Sequence, residues 1–313
     1  MNSRTLLIAI AFGLGSALML IAPVGMGALG AMFSYLALVP LFVAALGFGT
    51  LPGIISALVA GCVLIFSHGL TTGFGIFATM LAPAVWIGHS CGLAQETDEG
   101  TEWFPLSQIL LRLVLMAIMM SVLFVLVSGY SPEAMQQQIR DMFADLYSQM
   151  DASSGKTVTT AEIDQAADRI AVLMPLFFPI TLLIMLVLNL ALAAKITRNQ
   201  GWMLRPRDDI PTATALPMFT LAIFAAAVVV SGFDGFLGFL GKTATGAFGC
   251  ALVFVGLAAL HDLTRALPIR GAILGGVYAI IILFGLPAVL ILFFGIAETL
   301  FNFRARRGSQ THS

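Results

Sequence analysis

The sequence predicts an all-α protein, a polytopic transmembrane helical bundle of about 8–10 spans, N-in and C-in, with one extracytoplasmic helical loop. Three observations predict it. Of the 313 residues, 59% are hydrophobic and only 10% are charged, with a mean hydropathy of +1.00. Soluble domains carry about 25% charged residues, so a membrane is the natural solvent for this chain. Apolar runs follow one another along nearly the whole length, and lysines and arginines gather between alternate runs.

The apolar runs fall at 5–22, 28–48, 52–68, 72–93, 105–129, 170–194, 213–231, 244–262, 271–285 and 287–303. Several are shorter than the ~20 residues of an ideal span, which predicts tilted or broken segments. The first follows Met1-Asn2-Ser3-Arg4 and resembles a signal peptide. No small-x-small cleavage site precedes a polar region, so it reads as a retained first helix. Gly47-Phe48-Gly49-Thr50-Leu51-Pro52-Gly53 is a tight turn between spans. The whole chain, 1–313, reads as a single membrane domain.

The last stretch is the most telling. Gly271 to Phe303 contains one charge, Glu298, and then meets Arg304, Arg306 and Arg307. One helix of that length would be about 50 Å long, against a hydrocarbon core of about 30 Å. Gly285-Leu286-Pro287 near its middle combines a permissive residue with a helix breaker, so two short helices folded as a hairpin are predicted.

Orientation follows from the basic residues. With ten spans and the N-terminus inside, the cytoplasmic side holds Arg4, Lys195, Arg198, Arg205, Arg207, Arg265, Arg270, Arg304, Arg306 and Arg307. The outer side holds only Lys242, Arg140, Lys156 and Arg169, and Arg112 lies within the fifth span. The expected location is a bacterial inner (plasma) membrane, crossed many times.

Residues 130–169 form the one sizeable polar insertion. Ser131-Pro132-Glu133 supplies an N-cap and a first-turn proline. Met135, Ile139, Met142, Phe143, Leu146, Tyr147 and Met150 then share one helical face. After a turn at 151–156, Thr159-x-x-Glu162 is a capping box opening a second helix, continuous with the span at 170–194. The insertion is read as an amphipathic helical hairpin packed on the outer mouth of the bundle, or as a lid over a solute cavity.

Three intramembrane polar residues, Glu298, Asn189 and Arg112, form the candidate polar site. A charge at membrane depth is costly unless paired, neutralised or facing water. Glu298 is therefore a structural partner for a nearby arginine or asparagine, or a solute or proton site. Arg112, about two turns from Pro105, can snorkel, and Asn189 wants an interhelical hydrogen bond. Ala9, Gly13 and Ala17 make a small-residue ridge on the first span, which serves internal packing or the docking of a partner subunit. Pro175 and Pro179 remove helical amides from the sixth span, which bends a helix or lines a cavity.

Catalytic chemistry finds little support. There is no P-loop, no GxSxG and no HExxH. Ser67 and His68 are adjacent at a helix end, where their side chains are expected to diverge. Cys62, Cys91 and Cys250 lie in apolar runs with no metal-ligand spacing, and His68 and His89 are predicted at opposite membrane faces. His261-Asp262 reads as a solvated neighbour pair, and Trp86, Trp103 and Trp202 as interfacial anchors. No enzyme activity, metal or cofactor is expected. With a net charge of −1, neither is nucleic-acid binding.

Gly295-Ile-Ala-Glu298-Thr-Leu-Phe-Asn302-Phe-Arg304 resembles the closing motif of the YybS-like family of uncharacterised bacterial membrane proteins. The basic loop between Asn189 and Pro217, and Tyr278, are similar to the same family. Pro40 to Gly49, followed by Pro52-Gly53, resembles the substrate-binding S components of energy-coupling factor transporters. That resemblance implies a small-solute-binding or transport component, with Ala9, Gly13 and Ala17 matching the ridge that docks the coupling subunit. S components usually have six spans, so the extra spans and the acidic insertion depart from that pattern. The partners expected are therefore the lipid bilayer, other membrane subunits and a small-molecule solute of unknown identity. The alternative is a non-transporting membrane scaffold or assembly protein.

Overall fold

A computed structural model describes residues 2–21, 27–98, 100–128, 137, 139–143 and 160–304. Ser131 to Glu133, Met135, Leu146, Tyr147, Met150, the turn at 151–156, Thr159, Arg306 and Arg307 lie outside the described residues.

Each predicted apolar run contains at least one helix among the described residues. In chain order the helices are α1 (Ser3–Ile21), α2 (Gly27–Tyr35), α3 (Val39–Phe48), α4 (Thr50–His68), α5 (Leu70–Ile76), α6 (Ala82–Cys91) and α7 (Leu106–Ser128). They continue as α8 (Thr160–Asn199), α9 (Ile210–Ala213), α10 (Phe219–Val230), α11 (Gly235–Leu263), α12 (Arg270–Phe284) and α13 (Ala288–Phe301). A π turn, Phe77–Leu81, joins α5 to α6. Among the described residues, seven helical segments are long and apolar enough to cross a membrane, which makes this a multi-pass membrane protein. The other three apolar helices have 12, 15 and 14 residues. Pro217 delays the start of α10, and Gly285-Leu286-Pro287 divides α12 from α13, with Gly285 at a φ of 65°. A 12-residue helix rises about 18 Å, short of the ~30 Å hydrocarbon core.

The only described strands form a feature the sequence reading missed. Ala94–Thr97 (β1) and Gly100–Trp103 (β2) pair antiparallel between α6 and α7, with Ala94 opposite Trp103. Gly100, at a φ of 125°, makes the turn.

Small residues set how closely the helices meet, because lipid provides no hydrophobic force to join them. A Cβ on Gly13 of α1 would lie 2.5 Å from the Ser56 carbonyl of α4, and the Ser56 hydroxyl donates to the Ala9 carbonyl at 2.8 Å. Gly246 of α11 admits the Leu176 carbonyl of α8, one turn from Pro179. Gly256 and Gly295 meet each other's helices across the α11–α13 crossing. Around these crossings Leu38, Phe42, Leu64, Leu81, Leu113, Leu186 and Phe248 form one continuous core. In contrast, α12 buries no residue, so the predicted terminal hairpin does not close into a packed pair.

The forty residues of α8 extend about 60 Å, well beyond a bilayer core. The chain enters the apolar stretch from Thr160 without interruption, as the pattern predicts. Alongside this polar extension, Ile139 packs on Ala167 and Ala171, and Arg140 lies 3.0 Å from Asp164 and 3.3 Å from Asp168.

Candidate functional site

One end of the bundle is held by arginines. Asn302 ends α13 in a left-handed conformation, φ 48°, and its amide donates to the Glu298 carbonyl at 2.8 Å. Asparagine tolerates this conformation better than most residues. The reversal brings Arg304 back, so that its Nε donates to Glu298 Oε1 at 2.7 Å. The same guanidinium donates to the Pro211 carbonyl at 2.5 Å and the Thr214 carbonyl at 2.9 Å, binding α13 to the segment around α9. Glu298 is 2% exposed, and its Oε2 has no hydrogen-bond partner among the described residues. Its geometry is that of a buried ion pair anchoring the last helix.

Arg205 is a second anchor, and the sequence reading counted it only as a loop charge. It is 5% exposed and pairs through Nε and NH2 with the two carboxylate oxygens of Asp208, both at 2.8 Å. Its NH1 donates to Phe104 at 2.8 Å and to Cys91 at 3.3 Å, the carbonyls at the two feet of the β1–β2 hairpin. The sequence signal was the Arg205-Pro-Arg-Asp208-Asp209 run, with opposite charges three residues apart. Arg265 completes the cluster, taking Asp209 and, at 3.0 Å through Nε, Asp262. The Arg265 guanidinium bonded to Asp209 holds that carboxyl below the usual aspartate range, and Arg265 is correspondingly raised.

The three residues expected as one intramembrane site share no hydrogen-bond partner among the described residues. Asn189 is fully buried and donates through Nδ2 to the Tyr35 carbonyl at 2.7 Å and the Met185 carbonyl at 2.8 Å. Tyr35 closes α2 at the break before α3, so Asn189 satisfies a carbonyl that the interrupted helix leaves orphaned. Arg112 reaches toward the start of α7, donates to the Ser90 hydroxyl at 2.5 Å and stacks 4.1 Å from the Phe104 ring centroid. Trp86 lies 5.2 Å from the same guanidinium, a contact beyond simple anchoring.

The small-residue ridge fits its internal-packing reading, and two other expectations need correction. Ala9, Gly13 and Ala17 are buried, with Ala9 and Gly13 packed on α4, so that ridge is consumed inside the chain. Ser67 and His68 do not diverge: Oγ and Nδ1 lie 2.8 Å apart, because Nδ1 is the ring nitrogen nearest its own backbone. The pair is exposed, and Ser67 also bonds the Val63 carbonyl. His261 turns away from Asp262 and meets the Tyr278 hydroxyl at 3.0 Å, while Asp262 serves Arg265. His68 closes α4, whereas His89 bonds Thr50 at the start of α4 at 2.7 Å, so the two histidines do lie at opposite ends.

The opposite end from the arginines carries a cavity of about 280 Å³. Val125 of α7, Ala171, Val172 and Pro175 of α8, and Phe233 to Phe236, Phe239 and Lys242 of the α10–α11 turn and α11 form its walls. Proline at 175 has no amide, so the Ala171 carbonyl lacks its i+4 helical donor at the cavity wall. Ala171 also receives Ile139, which places the polar insertion beside the cavity. Hydropathy placed the surrounding helices but could not show which of their faces enclose space. Among the described residues no cluster of histidine, cysteine and carboxylate side chains is arranged to hold a metal.

No family model matches the chain, and comparisons with curated proteins and with solved structures return no match.

Proposed function

We propose that this protein binds a small solute at the cavity between α7, α8 and the α10–α11 turn, as a component of a membrane uptake or transport system. The observation that supports this reading is the cavity itself, a half-open recess beside Pro175 of α8, with Ile139 packed on its wall residue Ala171. A proline within a membrane helix frees a backbone acceptor where protein or a cavity can satisfy it. In this proposal both termini face the cytoplasm, following the basic-residue asymmetry. The cavity then opens outward in a bacterial inner membrane. The YybS-like resemblance, and the more distant likeness to S components, fit this reading. With no nucleotide-binding motif in the sequence, energy coupling would come from partner subunits.

The test is a solute screen on the detergent-purified full chain, read as a saturable rise in melting temperature. Val172→Trp, which fills the cavity, should abolish any shift that the parent chain shows. A shift that survives in Val172→Trp would place binding elsewhere, and no shift across a chemically broad library would sink the reading.

A second reading, a non-transporting scaffold, draws on α12. That helix buries nothing, and Gly271, Gly275 and Gly276 face open space. Site-specific crosslinking from Gly275→Cys to a defined membrane protein, with no solute binding, would favour it.

A further inference from the structure

We propose that the cavity selects a zwitterion with an apolar body, binding its carboxylate through Lys242 and its ammonium through Asp234; this rests on the solute-binding reading above. Both charged residues line the cavity. Among the described residues neither has a hydrogen bond or ion pair, and their separation exceeds that of a salt bridge. Elsewhere in the fold Arg205 takes Asp208, Arg265 takes Asp209 and Asp262, and Arg304 takes Glu298.

Asp234 occupies the N-cap of α11 in an extended conformation, φ −86° and ψ 168°, yet makes no side-chain cap hydrogen bond. Aspartate at that position ordinarily spends its carboxylate on the first-turn amides. Here the carboxylate remains uncommitted and exposed at the rim. Lys242 stands two turns further along α11, half-buried, beside Gly241, which packs against Ser231 of the α10–α11 turn. A half-buried ammonium among apolar walls gains most from an anionic partner that shares its desolvation.

Between the two charges the walls are apolar. Phe236 and Phe239 stack with ring centroids 5.9 Å apart, and Phe233, Val125 and Val172 complete the surface. The volume corresponds to about nine waters of liquid, the scale of a small metabolite and below the ~300 Å³ lower range of drug-sized sites. One positive and one negative charge, separated by an apolar wall, match a molecule such as an amino acid with an apolar side chain.

The experiment measures binding of four probes to the full chain in phosphatidylcholine nanodiscs. They are phenylalanine, N-acetylphenylalanine, phenylalaninamide and the uncharged 3-phenylpropanamide. Phenylalanine should bind tightest, by about tenfold over each singly charged analogue, the loss expected for one charge-assisted contact. Lys242→Gln should erase its advantage over phenylalaninamide, and Lys242→Arg should retain it. Asp234→Asn should erase its advantage over N-acetylphenylalanine. Removing either unpaired group leaves no partner orphaned, so folded protein is expected. Equal affinity for all four probes, or a preference that persists in Lys242→Gln, overturns the charge assignment while leaving a solute site in place. Displacement of phenylalanine by phosphatidylglycerol would assign the cavity to lipid headgroups and overturn it too. Failure of all four probes to bind the parent chain overturns the zwitterion assignment. The solute-binding reading falls as well only if the broad screen is also silent.

Discussion

Glu298 and Arg304 are joined at 2.7 Å across the left-handed turn at Asn302, and the arginine simultaneously holds the carbonyls of Pro211 and Thr214. The acid that hydropathy singles out as costly is thus one half of a clamp between the last helix and the loop before α10. Breaking a buried pair costs more than the pair contributes, because the remaining charge is stranded. Glu298→Gln should lower stability by about 3 kcal/mol. Arg304 keeps its carbonyl contacts, so the effect should sit at the low end of that range. The check is denaturant unfolding in detergent micelles; solute affinity at the far cavity should not change. A changed affinity with an unchanged melt would point to a direct role for the acid.

The glycines at α12 and α13 make an opposed pair of expectations. A Cβ on Gly295 would fall 1.9 Å from the Leu252 carbonyl, whereas one on Gly276 meets nothing within 4 Å. Gly295→Ala should destabilise the chain by about 1–3 kcal/mol through overpacking against backbone. Gly276→Ala should be neutral or stabilising by up to about 1 kcal/mol, the helix propensity gained. Thermal unfolding of the two variants side by side distinguishes a helix crossing from an open face.

Asn189→Leu keeps the apolar volume and removes the donor to the Tyr35 carbonyl. The carbonyl at the α2–α3 break then loses a buried partner, at a cost of about 1–3 kcal/mol. Hydrogen exchange should quicken at residues 36–39 before it changes elsewhere. Uniform loss of protection would instead mean that Asn189 supports the whole core.

The Asp209–Arg265 link predicts a pH dependence. Arg265 lowers the aspartate's folded value, so the link stabilises the folded state fully above the unfolded value, about 3.9. That contribution is lost as pH falls through the lowered folded value. Asp209→Asn should melt below the parent by a constant interval at neutral pH, and the interval should shrink only in strongly acidic solution. An interval that closes near pH 6 would implicate a different group.

Arg205→Ala should free both feet of the β-hairpin, since one guanidinium holds Cys91 and Phe104. Proteolysis within 94–103 should accelerate several-fold. The buried core around Phe42 should remain protected.

The apolar elements were readable in order because hydropathy is a sum over neighbours in sequence. The break at Gly285–Pro287, the continuity of α8 from its polar start and the separation of His68 from His89 all followed from local composition. The β1–β2 hairpin escaped notice: Thr97-Asp98-Glu99-Gly100 is a turn signal, but its flanking strands lack the alternating apolar pattern of a buried sheet. Arg205 was visible as a charge, yet its burial depends on carbonyls about a hundred residues earlier.

By itself the sequence determined that the chain belongs in a membrane, the order of its apolar helices, and which charges fall within apolar runs. Those properties depend on residue type and near neighbours. Tertiary structure alone decided that the Ala9–Gly13–Ala17 ridge is spent within the chain, with α4 against Ala9 and Gly13, and that Glu298, Asn189 and Arg112 belong to three separate contacts. It also decided that space opens between α7, α8 and α11. Helix packing sets these outcomes, because a small residue or a buried charge has no fixed role until another backbone comes within reach.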